Sequence, residues 1–163
     1  MTILTQEICE CGKEFISAKW QRHCYECQGK KAVYLMGAIE GVSPYEATWW
    51  RRYSKKELEA KGYRVIDPTE GKDLTRKYIG EEGTQIKRTD LNSVDTADIL
   101  LVEMHYPNVG RVGTGWELGK AERAGKRVIL WGHQHRHHPF LQEFTEWYDT
   151  LEEAIKALKG EGR

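Results

Sequence analysis

Apolar residues gather in a few short blocks along this chain. Residues 32–38, 63–66, 99–102 and 127–131 carry apolar runs bounded by polar or glycine positions. The run Ile99-Leu100-Leu101-Val102 is continuously apolar and β-branched at both ends, which predicts a strand covered on both faces of a parallel sheet. Between the blocks the period changes. Ser43-Pro44-Tyr45-Glu46 is a capping box with proline at the first helical position, so a helix is expected from there to about residue 61, where Gly62 stops it. Residues 84–94 place Ile86, Leu91 and Val94 on one side of a second helix. Near the end, residues 139–144 predict a short helix and 146–148 a last short strand. Thr150 and Glu153 then cap a helix with Leu151, Ala154, Ile155 and Leu158 on one face. The sum is an α/β fold, a parallel sheet flanked by helices.

The polar remainder adds candidate chemistry. Gly110, Gly113 and Gly115 follow the central strand at a strand-to-helix junction, where a substrate can approach the backbone and the helix start offers unpaired N–H groups. Glu117 is expected in the first turn of that helix, whose positive end should keep it ionised. Tyr34 interrupts the first strand with a hydroxyl, and Gly37 and Gly41 bracket a loop suited to close contact with a sugar or phosphate. Residues 69–83 show no apolar period and contain Gly71, Gly80 and Gly83, a polar segment expected to lie over the site. Trp49, Trp50 and Tyr53 are read first as core, and the Arg51-Arg52 and Lys55-Lys56 pairs as a solvated face. The run from His133 to His138 is read as a structural or phosphate-facing loop rather than a metal site.

Length and charge narrow the partners. The chain has 163 residues, enough for one core and a small appendage, with Lys+Arg and Asp+Glu both at 25. Balanced charge gives no field for nucleic acid or an anionic membrane, so a small-molecule partner is expected. No apolar run is long enough to span a membrane and the first residues lack a signal-peptide pattern, so the expected location is cytoplasmic. All four cysteines, Cys9, Cys11, Cys24 and Cys27, fall before residue 30 on two glycine-containing turns. Without a secretion signal, that pattern predicts a structural zinc site, with His23 competing for the fourth position. The expected division is a zinc-binding module over 1–30 and an α/β domain over 31–163. Nucleic acid enters as a partner only through the zinc module.

Three segments carry a resemblance. Thr89-Asp90-Leu91-Asn92, Ala97-Asp98-Ile99-Leu100-Leu101 and Gly113-Thr114-Gly115-Trp116-Glu117-Leu118-Gly119-Lys120-Ala121, together with Val33-Tyr34-Leu35-Met36-Gly37-Ala38, resemble the nucleoside 2-deoxyribosyltransferase family and the related deoxynucleotide N-hydrolases. The resemblance implies a Rossmann-like (flavodoxin-like) fold and a Glu117 nucleophile that attacks the anomeric carbon of a nucleoside. It also implies that Tyr34 orients that carboxylate, that Asp90 protonates or holds the departing base, and that Asp98 opens the central strand. Gly37, Ala38, Asn92, Gly113 and Gly115 become substrate-binding candidates, and a homo-oligomer is implied in which neighbouring subunits complete each site. Arg111 departs from the pattern: it stands where the transferases carry an aspartate, and a guanidinium, which only donates, favours phosphate.

Cleaving an N-glycosidic bond passes through an oxocarbenium-like state, which needs a carboxylate below the anomeric carbon and an acid near the base. Glu117 and Asp90 supply one of each, with no catalytic cofactor. The expected substrate is a (deoxy)nucleoside or its 5′-monophosphate together with a free base. The expected outcome is transfer of the (deoxy)ribosyl group to another base. Hydrolysis of a nucleoside monophosphate is the alternative, and a non-catalytic nucleotide-sensing or nucleic-acid-docking module is a further one.

Overall fold

The computed structural model describes residues 4–8, 14–18, 29–107 and 109–159. Two short strands, β1 (Leu4–Ile8) and β2 (Glu14–Ala18), pair antiparallel. The four cysteines and His23 lie outside the described residues, and the zinc expectation lies there with them.

The remaining strands form one parallel sheet: β3 (Ala32–Met36), β4 (Arg64–Ile66), β5 (Ile99–Glu103), β6 (Arg127–Trp131) and β7 (Trp147–Tyr148), in the order β4-β3-β5-β6-β7. The helices are α1 (Pro44–Glu59), α2 (Gly80–Thr96), α3 (Val112–Arg123) and α4 (Leu151–Lys159), with a 3₁₀ turn at Pro139–Leu141. The alternation of side chains along the strands decides the layers. Val33, Leu35, Ile99, Leu101, Ile129 and Trp131 face Trp50 and Leu58 of α1 and Leu151, Ile155 and Leu158 of α4. Tyr34, Met36, Leu100, Val102, Val128 and Leu130 face Val94 of α2 and Leu118 and Ala121 of α3. Each fully buried Leu or Ile on these faces contributes on the order of 2 kcal/mol, which is why the strands read as unbroken apolar runs.

The caps predicted from sequence are present. The Ser43 hydroxyl accepts from the Glu46 N–H at 3.2 Å while the Ser43 N–H donates to the Glu46 carboxylate at 2.8 Å, and Thr150 and Glu153 repeat the exchange at 3.2 Å each way. Asp98 ties the starts of two strands, its Oδ2 accepting from the Ala32 N–H at 2.7 Å. Three expectations need correction. Helix α2 begins at Gly80, so Gly80 and Gly83 belong to its first turn and not to the polar connection. Helix α3 begins at Val112, which puts Glu117 beyond its first turn. Arg51 is wholly buried, not on a solvated face.

The chain leaves β3 for β4 on one side and returns through α2 to β5 on the other. The order therefore reverses between β3 and β5, and in open parallel sheets ligands bind outside the carboxyl ends of the strands at that point. No helix among the described residues is long and apolar enough to cross a membrane.

Candidate active site

A cavity of about 490 Å³ opens at that reversal. Tyr34 comes from β3, Gly37, Ala38 and Glu40 from the loop after it, Lys87 and Asp90 from α2, Gly110 from the connection before α3, and Gly113, Trp116 and Glu117 from α3 itself. Tyr34 meets Glu117 because even-numbered positions of β3 face the α2 and α3 side. Its hydroxyl donates to Glu117 Oε1 at 2.7 Å in a buried contact.

The electrostatics differ from the sequence expectation. Burial pushes the Glu117 carboxyl up to about 7, the Tyr34 hydrogen bond pulls it down, and the Asp90 charge pushes it up again. Without a first-turn position, little helix-end field opposes that burial, so Glu117 is a carboxyl poised near neutrality rather than one held firmly ionised. Asp90 is also raised, first by burial, with Lys72 and Arg51 acting in the opposite direction. Lys72 Nζ lies 3.4 Å from Asp90 Oδ1. Burial raises the Tyr34 phenol as well, so it acts as a hydrogen-bond donor.

Around the cavity a second set of charges holds the loops. Glu103, the last residue of β5, is completely buried. Its Oε2 accepts from the Ala38 N–H at 3.1 Å and its Oε1 from the Tyr106 N–H at 2.8 Å and from the His105 N–H. A Cβ at Gly37 would lie 2.6 Å from the Glu103 Cβ, so only glycine permits this approach. Arg51 of α1 donates to the carbonyls of Leu35 at 3.3 Å, Gly37 at 3.0 Å and Ala38 at 3.3 Å, and to that of Ala47. The loop after β3 is thus gripped from both sides. Ala38 lines the cavity as wall only, since both its backbone polar groups have partners.

The remaining candidates divide. Gly37, Ala38 and Gly113 line the cavity, while Asn92 is exposed and does not, and Gly115 opens to the other side of α3. Arg111 is turned away from the substrate space: its guanidinium donates to Glu103 Oε1 at 3.2 Å, to the Glu103 carbonyl at 2.8 Å and to the Tyr106 carbonyl at 3.1 Å. A buried carboxylate at the end of β5 draws it inward, which removes the basis for a phosphate contact there. Within the histidine run Arg136 bonds Asp149 at 2.6 Å and the Trp147 carbonyl at 3.2 Å, and the His138 ring stacks on Phe140.

Glu103, Arg51 and Lys72 were not singled out from the sequence. A charge closing an apolar strand was a signal for Glu103, and Arg51 falls on the same helical stripe as the buried Ala47, Trp50, Ser54 and Leu58. Lys72 sits in an irregular connection and gave no signal.

The fold and the paired carboxyls define a parallel α/β protein with its site at the sheet's reversal point. Solved structures share that fold. A 2-deoxyribosyltransferase from Leishmania mexicana superposes with a TM-score of 0.63 at 15% identity, covering 82% of this chain and 99% of the other. One from Bacillus psychrosaccharolyticus gives 0.55 at 21% identity, covering 76% and 90%. A CMP N-glycosidase from Clostridium botulinum gives 0.52 at 18% identity, covering 78% and 98%. No curated protein matches the sequence. The sequence profile of nucleoside 2-deoxyribosyltransferase matches residues 33–159, and the chain belongs to that family.

Proposed function

We propose that this protein cleaves the N-glycosidic bond of a (deoxy)nucleoside through a glycosyl-Glu117 intermediate and transfers the sugar to another base. The observation that carries the reading is the buried Tyr34–Glu117 hydrogen bond on the wall of a cavity that Asp90 shares. Glu117 attacks C1′ as the C1′–N bond breaks, and Asp90 gives a proton to the departing base. A second base, entering as the first leaves, takes the sugar and returns the proton. Water entering in its place gives hydrolysis from the same intermediate, so the two outcomes share every residue named here. Membership of the family and the fold shared with transferases and an N-glycosidase support bond cleavage of this kind.

The charges favour an uncharged nucleoside over a 5′-phosphate. Glu40, Asp90 and Glu117 line the cavity against Lys87, and Arg111 is held by Glu103. A phosphate dianion would meet the Glu40 and Glu117 carboxylates against Lys87, since Lys72 is directed at Asp90 and Arg51 is held by backbone carbonyls. Incubation with deoxynucleosides or deoxynucleotides plus an acceptor base, followed by chromatography of free and exchanged base, tests the proposal. Base exchange is expected with nucleosides, and Glu117→Ala should lower it by about 10³-fold or more. A protein that binds nucleosides and releases no base would be a sensor, and the proposal would fail.

A further inference from the structure

The connection between β4 and α2 is braced by its own bonds. Asp67 Oδ1 accepts from the Thr69 N–H at 2.8 Å and from its hydroxyl at 2.7 Å, and the Lys72 N–H donates to the Thr69 carbonyl at 3.2 Å. Asp73 accepts from the Thr75 N–H at 2.9 Å, while the Asp73 N–H donates to the Tyr78 hydroxyl at 2.9 Å. Lys55 of α1 pairs with Glu70. From this arm the Lys72 side chain reaches across to Asp90 on α2, with both side chains about four-fifths shielded from solvent. A shielded pair couples more strongly than the surface pairs elsewhere on the molecule.

We propose that Lys72 is a positioning residue of the reaction: its ammonium holds the Asp90 carboxyl at the cavity and compensates the negative charge that Asp90 acquires on giving up its proton. The inference rests on the roles assigned above to Glu117 and Asp90. As the bond from Glu117 to C1′ forms, the electron pair of the C1′–N bond goes to the base and the Asp90 O–H proton passes to a base nitrogen. A carboxylate is left beside Lys72. The entering base then gives its N–H proton to Asp90 as its nitrogen displaces Glu117 from C1′. Three other groups act on Asp90 from the elements around it, Arg51 of α1, Tyr34 of β3 and Glu117 of α3, while Lys87 of its own helix lines the same cavity with its ammonium over the Trp116 ring. Of the two cations that favour its charged form, Arg51 is held by four carbonyls of β3, the loop after it and α1, so Lys72 is the one directed at Asp90 itself.

With Lys72→Met, burial acts on Asp90 with less opposition, so Asp90 keeps its proton to higher pH and yields it less readily. The test combines Lys72→Met, Lys72→Arg, Asp90→Asn and the Lys72→Met/Asp90→Asn double variant. Asp90 is titrated by carboxyl ¹³C NMR, and kcat and KM are measured against pH. Expected are an upward move of the Asp90 titration in Lys72→Met, about tenfold lower kcat with little change in KM, and recovery by arginine. In the Asp90→Asn background the same change should cost almost nothing further. An unmoved Asp90 titration, or an equal loss in both backgrounds, overturns the proposal. Wild-type protein that releases no base would instead defeat the reaction, while the titration still decides whether Lys72 holds the Asp90 charge.

Discussion

Two buried glutamates stand near each other's elements at the carboxyl edge of this sheet, and they are opposites. Glu103 accepts from three backbone N–H groups and from Arg111, and it is not among the residues that line the cavity at the sheet's reversal. Among the described residues Glu117 has one donor, the Tyr34 hydroxyl, and an open cavity in front of it. A carboxylate with all its lone pairs engaged is a structural tie. One that is buried, faces a cavity and is pushed up to about 7 has the environment that the nucleophile role proposed for Glu117 requires. The difference lies in what surrounds the two side chains, since their burial is similar.

Identical glutamate-to-glutamine changes should therefore act in opposite directions. Glu103→Gln offers one acceptor oxygen where two were used and sets an NH₂ group against donors. It should destabilise the fold by about 3 kcal/mol, read as a lower midpoint in chemical denaturation. Glu117→Gln should abolish turnover and yet stabilise the protein at alkaline pH. The sign follows from the raised carboxyl: below about pH 4.5 Glu117 is protonated both folded and unfolded, and its contribution is fully present. As pH rises towards about 7 the unfolded chain ionises first, and stability is lost. That loss is about 3 kcal/mol in wild type, and glutamine removes the ionisation, so the variant should exceed wild type by about 2 kcal/mol at pH 8. Equal destabilisation by both changes would erase the distinction.

Much of this was legible in the chain. The apolar runs that became β3, β5 and β6 and the caps at Ser43 and Thr150 all express local physics that survives folding unchanged. The family likeness followed from motifs on those same elements. What sequence reasoning lost was direction. Arg111 reads as a free cation beside a substrate, and only the approach of Glu103 from β5 shows that it is held inward. Arg51 reads as one of a surface pair until the helix is docked and its guanidinium lies under the loop after β3. Glu117 was placed one turn too early, because Gly113 and Gly115 look like a pre-helical turn while the helix in fact begins at Val112. Charged side chains in irregular connections, Lys72 above all, acquire meaning only from partners far away in sequence.

The smallest effect separates orientation from contact. If Tyr34 serves Glu117, Tyr34→Phe removes a donor that favours the ionised carboxylate, and the Glu117 carboxyl rises further above about 7. Attack requires the ionised form, so the acidic limb of kcat/KM against pH should move to higher pH. At pH 6 the variant should lose about tenfold, the value of one charge-assisted hydrogen bond, and at pH 9 much less. A hydroxyl that mainly touched the sugar would instead cost the same factor at every pH. The aromatic ring remains in the core against Met36 and Leu100 in either case, so stability should hardly change. A loss at pH 6 that persists undiminished at pH 9 would move Tyr34 from the carboxylate to the substrate, and Glu117 would then owe its ionisation to Arg51 and Lys72 alone.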